Sequence, residues 1–387
     1  MKRTGLWMVL VFGIALVWGA NFGFAQDVIK FGIATPLTAG DYKSGQINVQ
    51  TAELFIEEIN AKGGLLGKKV ALVKADDEGK PAVGVTAMQR LANEKVSVIV
   101  GVWHSSVVMA QAKVIEQMKV PMILHYTWAD ELTAGHSPYI YRVGPFNSEI
   151  AELLVPYLVK AGFKTVAILH ETTAFGTGFT DALQKFAEAK GIKIYRIGIP
   201  AEATDLKPQL LDFKGKSPMP ELMVLAVNYQ PTNLAPKQAA EIDLYPKCGI
   251  LCAWDWPTYP DFWEVVGEKG AGVTYTTFES KKLKLSPLGE SFKKAFTAKY
   301  KYAPPVYTYF MYDGMMIVAD TIKRIKSADP VKIAEALKDT KFAGTTGTVT
   351  FERKEGPVWN QWMGHQLFVK KLTQFKQKGE DAEVVYP

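Results

Sequence analysis

The chain has 387 residues, 48 % hydrophobic and 22 % charged, an ordinary globular composition long enough to build two domains, each with its own core. Its formal net charge of +6 is too small an excess to argue for nucleic acid, and no run of lysine and arginine with interleaved aromatics supports that reading. Five histidines, at 104, 125, 136, 170 and 365, show no HxxxH or HxH spacing, so no metal site is expected.

The first element is a leader. Lys2 and Arg3 precede an apolar run from Leu6 to Phe24, and Gly23-Phe24-Ala25 places small residues around a cut before Gln26. Residues 1–25 therefore read as a cleaved signal peptide, which leaves a mature chain with a net charge of +4. A retained membrane anchor is the alternative, because about 19 apolar or small residues can just span a bilayer. Gly13, Gly19, Asn21 and Gly23 interrupt the run and favour cleavage. No cysteine at the cut suggests a lipid anchor, and no second long apolar stretch suggests an integral permease.

From Val28 onward, strand-like runs alternate with helical patterns. Ile29 to Ala34, Val70 to Ala75, Val96 to Val102 and Pro121 to Tyr126 are short and rich in Val and Ile. Between the first two lies a helix with Ala52, Phe55, Ile56 and Ile59 on one face, ended by glycines of the segment Ala61 to Gly67. Tyr141-Arg142-Val143-Gly144-Pro145 closes this block, and the rhythm restarts. Thr165 to Glu171, Lys193 to Pro200, Glu221 to Asn228 and Gly249 to Asp255 read as strands, and Ser148 to Ala161 and Thr180 to Lys190 as helices. Beyond Gly272 to Phe278 come helices near Pro287 to Tyr300, Tyr309 to Lys326 and Pro330 to Asp339, then short strands around Thr348 to Phe351 and Gln366 to Lys371. Such alternation implies crossover units and parallel sheets buried on both faces, here as two doubly wound α/β lobes with a cleft between them. Ligands bind outside the carboxyl ends of parallel strands, so the loops after strands are where function belongs.

Cys248 and Cys252 fall on one predicted strand, about 13 Å apart, too far for a disulfide, and are expected as separate, partly buried thiols. Gly176-Thr177-Gly178-Phe179-Thr180-Asp181 lacks the third glycine of a dinucleotide fingerprint, and there is no G-x-S-x-G elbow. No cofactor and no catalytic residue is expected.

One amino-terminal pattern is specific: Pro36-Leu37-Thr38-Ala39-Gly40, Ser44-Gly45, Ile59-Asn60-Ala61-Lys62-Gly63-Gly64-Leu65-Leu66-Gly67, Asp76-Asp77 and Pro81. This stretch resembles the start of type I periplasmic binding proteins of the leucine/isoleucine/valine-binding branch, which serve ATP-driven importers. The resemblance implies three chain crossings between lobes, with residues 28–144 plus 278–345 forming lobe 1 and residues 145–277 plus 346–387 forming lobe 2. It also implies periplasmic location, permease subunits of an ABC transporter as partners, and a monomer.

The site residues follow partly from the loops and partly from the resemblance. Trp103-His104-Ser105-Ser106 ends a strand and opens a helix, where Ser105 or Ser106 either caps the helix or helps its free N–H groups hold a carboxylate. By resemblance Ser105 is the carboxylate-binding serine, and Thr127 stands close to a second hydroxyl position. Across the cleft, Trp254-Asp255-Trp256 ends a strand, and Asp255 either is a solvated loop residue or, by resemblance, holds the ligand's ammonium group. Tyr229 and Tyr307 match ligand-contacting tyrosines of the family, and Phe175 stands where a tyrosine is common. Trp103, Tyr126, Trp128, Trp254 and Trp256 crowd the strand-end loops, and two or three of them, with Trp103, Trp128 and Trp254 the candidates, are expected at the ligand.

The expected function is capture of a branched-chain-type amino acid or related small organic acid for an importer. The alternatives are a receptor for an aromatic or other carboxylic acid, a sensor presenting the same cleft to a receptor kinase, and a secreted two-lobed enzyme.

Overall fold

The computed structural model describes residues 28–259, 262–279 and 283–387, so the expected leader lies outside the described residues. Two seven-stranded sheets organise the chain. In the first, the spatial order is Glu352–Arg353, Trp359–Gln361, Ile140–Arg142, Met122–Leu124, Val98–Val100, Ile29–Thr35 and Val70–Asp76. The second runs Glu383–Tyr386, Phe368–Lys371, Thr274–Thr277, Gly249–Cys252, Leu222–Ala226, Thr165–Glu171 and Lys193–Ile199. Within the last five strands of each, adjacent strands run parallel to one another.

Burial follows position in the sheet. Every residue of the central strands Val98–Val100 and Leu222–Ala226 is buried, because helices cover both faces. The edge strands Val70–Asp76 and Lys193–Ile199 mix buried and exposed positions and carry the polar residues.

Both sheets reverse their winding at one place. The strand order changes direction between Ile29–Thr35 and Val98–Val100 in the first sheet, and between Thr165–Glu171 and Leu222–Ala226 in the second. At such a switch point neighbouring loops run to opposite sides and leave a crevice beyond the strand ends. The carboxyl ends of these four strands and the loops beyond them carry Asp41 and His104 from the first lobe and Glu171 and Asn228 from the second, the two rims of one shared cleft.

Three differences from the sequence reading are physical. The strands Glu352–Arg353 and Trp359–Gln361 pair with Ile140–Arg142 in the first sheet, so residues 352–361 belong there and the last crossing falls between Gln361 and Phe368, later than residue 346. The helices Lys207–Lys214 and Tyr229–Glu241 add to the elements read from the sequence, with Pro208 and Pro231 in their first turns and Pro236 inside the second. A proline in the first turn costs little, since its missing N–H would have no helical partner. A final strand, Glu383–Tyr386, also joins the second sheet. Cys248 and Cys252 are both buried and free. No helix among the described residues is long and apolar enough to cross a membrane.

Candidate functional site

Gly101 sets the first wall of the cleft. Its φ of +70° turns the chain out of strand Val98–Val100, and a Cβ there would lie 2.5 Å from Ile33 Cδ1. That turn presents Trp103 and His104 and then opens the helix Ser105–Met118. The first intrahelical bond runs from Val108 N to His104 O (2.9 Å), so the N–H groups of Ser105, Ser106 and Val107 lack intrahelical acceptors. Ser105 does not cap this helix. Its Oγ accepts from Ala129 N (3.2 Å), tying the helix start to the neighbouring strand-end loop.

That loop, His125 to Ala129, is held from several sides. Arg142 Nη2 donates to Ala129 O (2.7 Å), Asn147 N donates to Trp128 O (2.7 Å), and Thr127 Oγ1 reaches the carbonyls of Val102 (3.2 Å) and Trp103 (3.0 Å). Gly144 at the first crossing lies so close beneath it that an added Cβ would sit 1.6 Å from His125 O. Tyr126 and Trp128 are therefore fixed, and they face the second lobe.

The second wall comes from Phe175, Asn228 and Trp254. Thr173 Oγ1 accepts from Gly176 N (3.2 Å) and caps the helix Ala174–Glu188 that carries Phe175. Asn228 N and Nδ2 both donate to Glu171 (2.8 Å each). Trp254 Nε1 donates to Val227 O (2.9 Å).

Together Trp103, His104, Ser105, Tyr126, Trp128, Phe175, Asn228 and Trp254 enclose an inner pocket of about 30 Å³. Trp128 meets Tyr126 edge-on at 5.1 Å and Phe175 edge-on at 5.3 Å across the cleft. No acidic side chain lines this pocket among the described residues. An outer vestibule of about 600 Å³ adjoins it through His104, Ser105 and Asn228 and adds Asp41, Glu78, Lys80, Ser106 and Glu171.

The two lobes touch directly. Tyr126 Oη donates to Asp255 Oδ1 (3.2 Å), and Ala174 N donates to Ser106 Oγ (3.0 Å). Ser44 Oγ and Tyr259 Oη approach to 3.5 Å, the limit of a hydrogen bond.

Burial dominates the electrostatics in and around the inner pocket. Burial lowers His104 to about 4, which leaves it a neutral imidazole at pH 7. Burial raises Asp255 to about 7 against the lowering effect of its hydrogen bonds from Tyr126 and the Val306 N–H. Glu171 is raised to about 7 by the same cause, despite hydrogen bonds from Thr173 and Asn228. Trp128 Nε1 and His104 Nδ1 are buried without a hydrogen-bond partner, and both residues line the pocket. Groups of this kind are unusual in folded proteins.

Of the residues singled out in the sequence, Trp103, Ser105, Trp128, Phe175 and Trp254 line the inner pocket, and Ser106 lines the vestibule. Thr127 is fully buried with its hydroxyl turned to backbone. Tyr307 lies behind the pocket, edge-on to Trp103 at 4.8 Å. Asp255 is 1 % exposed and borders a different depression, on the far side near Pro305 and Val306. Tyr229 opens the helix Tyr229–Glu241. His104 and Asn228 were not singled out as ligand residues. Their position at the two switch points would have found them, since each lies in the loop beyond a strand beside the reversal.

Two doubly wound lobes that meet at paired switch points define a two-lobed solute-binding architecture. The chain belongs to the periplasmic binding protein family, whose model matches residues 28–371. It is 26 % identical over 346 residues to the leucine-, isoleucine-, valine-, threonine-, and alanine-binding protein of Pseudomonas aeruginosa, covering 88 % of this chain and 90 % of that one. Among solved structures, the leucine binding protein LivK of Thermotoga maritima superposes with a TM-score of 0.80, at 23 % identity over 92 % of this chain and 97 % of that one. A solute binding protein of an ABC transporter from Rhodopseudomonas palustris, in complex with 3,4-dihydroxy benzoic acid, gives 0.78 at 23 % identity over 92 % and 95 %.

Proposed function

We propose that this protein is the periplasmic receptor of an ABC importer, that residues 1–25 are its cleaved leader, and that it captures a small organic acid, without chemically changing it, in the cleft formed by the inner pocket and the vestibule that adjoins it. The observation that carries the reading is that the pocket takes its walls from both lobes, with Trp103, His104, Ser105, Tyr126 and Trp128 facing Phe175, Asn228 and Trp254. A ligand held there bridges the lobes and stabilises their closed arrangement, which is the shape a permease would recognise. Its carboxylate has a place at the start of helix Ser105–Met118, where the N–H groups of Ser105, Ser106 and Val107 and the helix dipole favour an anion. Trp128 Nε1 is a further buried donor for an oxygen. The family's work is solute capture, and the pocket offers no activated nucleophile, since Ser105 Oγ accepts from Ala129 N and His104 is not hydrogen-bonded to it.

A panel of amino acids, aromatic acids, amides and diacids screened by thermal shift is expected to yield one ligand class, bound one per chain and recovered unchanged by mass spectrometry. At a hundred times its dissociation constant such a ligand stabilises the folded state by about 2.7 kcal/mol. Appearance of a product during incubation would replace this reading with that of an enzyme.

A further inference from the structure

Asp255 is the carboxylate expected to neutralise a ligand's amine, yet its partner is already inside the protein. Tyr126 reaches across the cleft from the first lobe and its hydroxyl donates to Asp255 Oδ1 at 3.2 Å. The tyrosine ring forms part of the pocket wall, whereas Asp255 forms none of it. The ring is pinned on two sides, stacked on Trp103 at 5.8 Å and edge-on to Trp128 at 5.1 Å. The backbone around Asp255 is held as well, with Thr258 N (2.9 Å) and Thr258 Oγ1 (2.7 Å) both donating to its carbonyl.

Building on the receptor reading above, we propose that Tyr126 takes the place of a ligand ammonium group against Asp255, so that the cleft selects carboxylic acids with a flat apolar body and no α-amine.

The other acids near the pocket give an amine no better home. Trp103 Nε1 donates to Asp41 Oδ2 (2.7 Å), Lys80 pairs with Glu78 (2.8 Å), and Glu171 accepts from Asn228 and Thr173. Glu202 stands exposed at the mouth of the vestibule, in contact with water. An α-ammonium enclosed by Trp103, Tyr126, Trp128, Phe175 and Trp254 would lose its hydration and gain in return ring faces and the neutral polar atoms of His104, Ser105 and Asn228, with no carboxylate among them. A cation over a ring recovers a small part of what an unpaired buried charge loses. A carboxylate in the same pocket meets the free N–H groups of Ser105 to Val107 and the unpartnered, 3 % exposed Trp128 with its Nε1 donor. The asymmetry is between the two poles of an amino acid: the pocket has donors for one and no free acceptor of charge for the other.

The test uses matched pairs that differ only by the amine, phenylalanine against 3-phenylpropanoate and leucine against 4-methylpentanoate, titrated calorimetrically into the full mature chain. Wild type is expected to bind the amine-free member at least roughly tenfold more tightly in each pair. Tyr126→Ala releases Asp255 and should reverse the order, with the amino acid gaining roughly tenfold or more over its partner. Tyr126→Phe keeps the ring and removes the hydroxyl. It should narrow the preference without reversing it, and it keeps the test open should the alanine variant fold poorly. Tighter binding of phenylalanine or leucine by wild type overturns this inference and leaves the receptor standing. Absence of binding by both members of both pairs overturns the organic-acid reading together with it.

Discussion

Asp313 in the first lobe and Asp255 at the cleft are equally sealed from water, each 1 % exposed, and burial raises each to about 7. Their partners differ. Asp313, on helix Val306–Ile325, accepts from Thr345 N (2.8 and 3.1 Å) and from Thr345 Oγ1 (2.8 Å), all within one lobe. Asp255 accepts from Tyr126, which belongs to the other lobe. Burial and proton affinity alone would rank the two acids as the same kind of site. Which lobe the donor comes from separates an acid that holds one lobe together from one that joins the two.

The largest test of that contrast is Asp313→Ala. It strands the buried N–H and hydroxyl of Thr345 and should lower the unfolding free energy by about 3 kcal/mol in a denaturant titration. A loss below about 1 kcal/mol would mean that the segment around Thr345 is anchored by other contacts.

Next in size is a pH effect. Asp77 is raised to about 6 and Glu171, Asp255 and Asp313 to about 7, in each case chiefly by burial. Each holds its proton more tightly folded than unfolded, so its stabilisation is complete below about pH 4 and is lost as pH rises through 6 to 7. His104 and His125, lowered by burial to about 4 and about 3, act in the opposite sense, and their contribution is lost as pH falls below about 6.5. The two sets partly cancel between pH 4.5 and 6.5, and the acids act alone above that. Stability should therefore fall by roughly 2 kcal/mol between pH 6 and 7.5, and Asp255→Asn should shrink the slope. Melts that stay level or rise over this interval would show that the acids are already ionised in the folded state.

The smallest effect is expected at Ser106→Ala, which removes the acceptor for Ala174 N between the lobes. Ligand affinity should weaken by about 1 kcal/mol, close to fivefold, while the melting of the ligand-free protein stays within a degree or so. Equal losses in both would place this contact with Asp313 as part of the folded scaffold.

Much of the architecture was legible because central strands must be apolar on both faces. Val98–Val100 and Leu222–Ala226 announce themselves as uninterrupted runs, and Pro287–Tyr300 announces itself by an apolar periodicity entered through Ser286 and Pro287. The pocket's aromatic loops were legible for a related reason, since Trp103, Trp128 and Trp254 directly follow strands whose ends must open on the cleft. What could not be read was partnership across the hinge. Tyr126 and Asp255 are 129 positions apart and meet only because two separately folded sheets approach each other. Ser105 was legible as a helix start, but not that its hydroxyl accepts from Ala129, because that depends on how the neighbouring loop is tied down by Arg142 and Asn147. The strands Glu352–Arg353 and Trp359–Gln361 are too short to show a period, so only their pairing with Ile140–Arg142 assigns them to a sheet.

Cys248 and Cys252 have a consequence outside ligand binding. Cys252 lies in register between Leu225 and Tyr275 in the second sheet, both sulfurs are buried, and burial pushes the Cys248 thiol up to about 12 and the Cys252 thiol higher still. A thiol that is neither ionised nor reachable does not react. Alkylating reagents will therefore register only those moments when the second lobe comes apart, and rigid rotation of one lobe against the other will leave them silent. The protein carries its own clock for unfolding, one that keeps time independently of the opening and closing that solute capture requires.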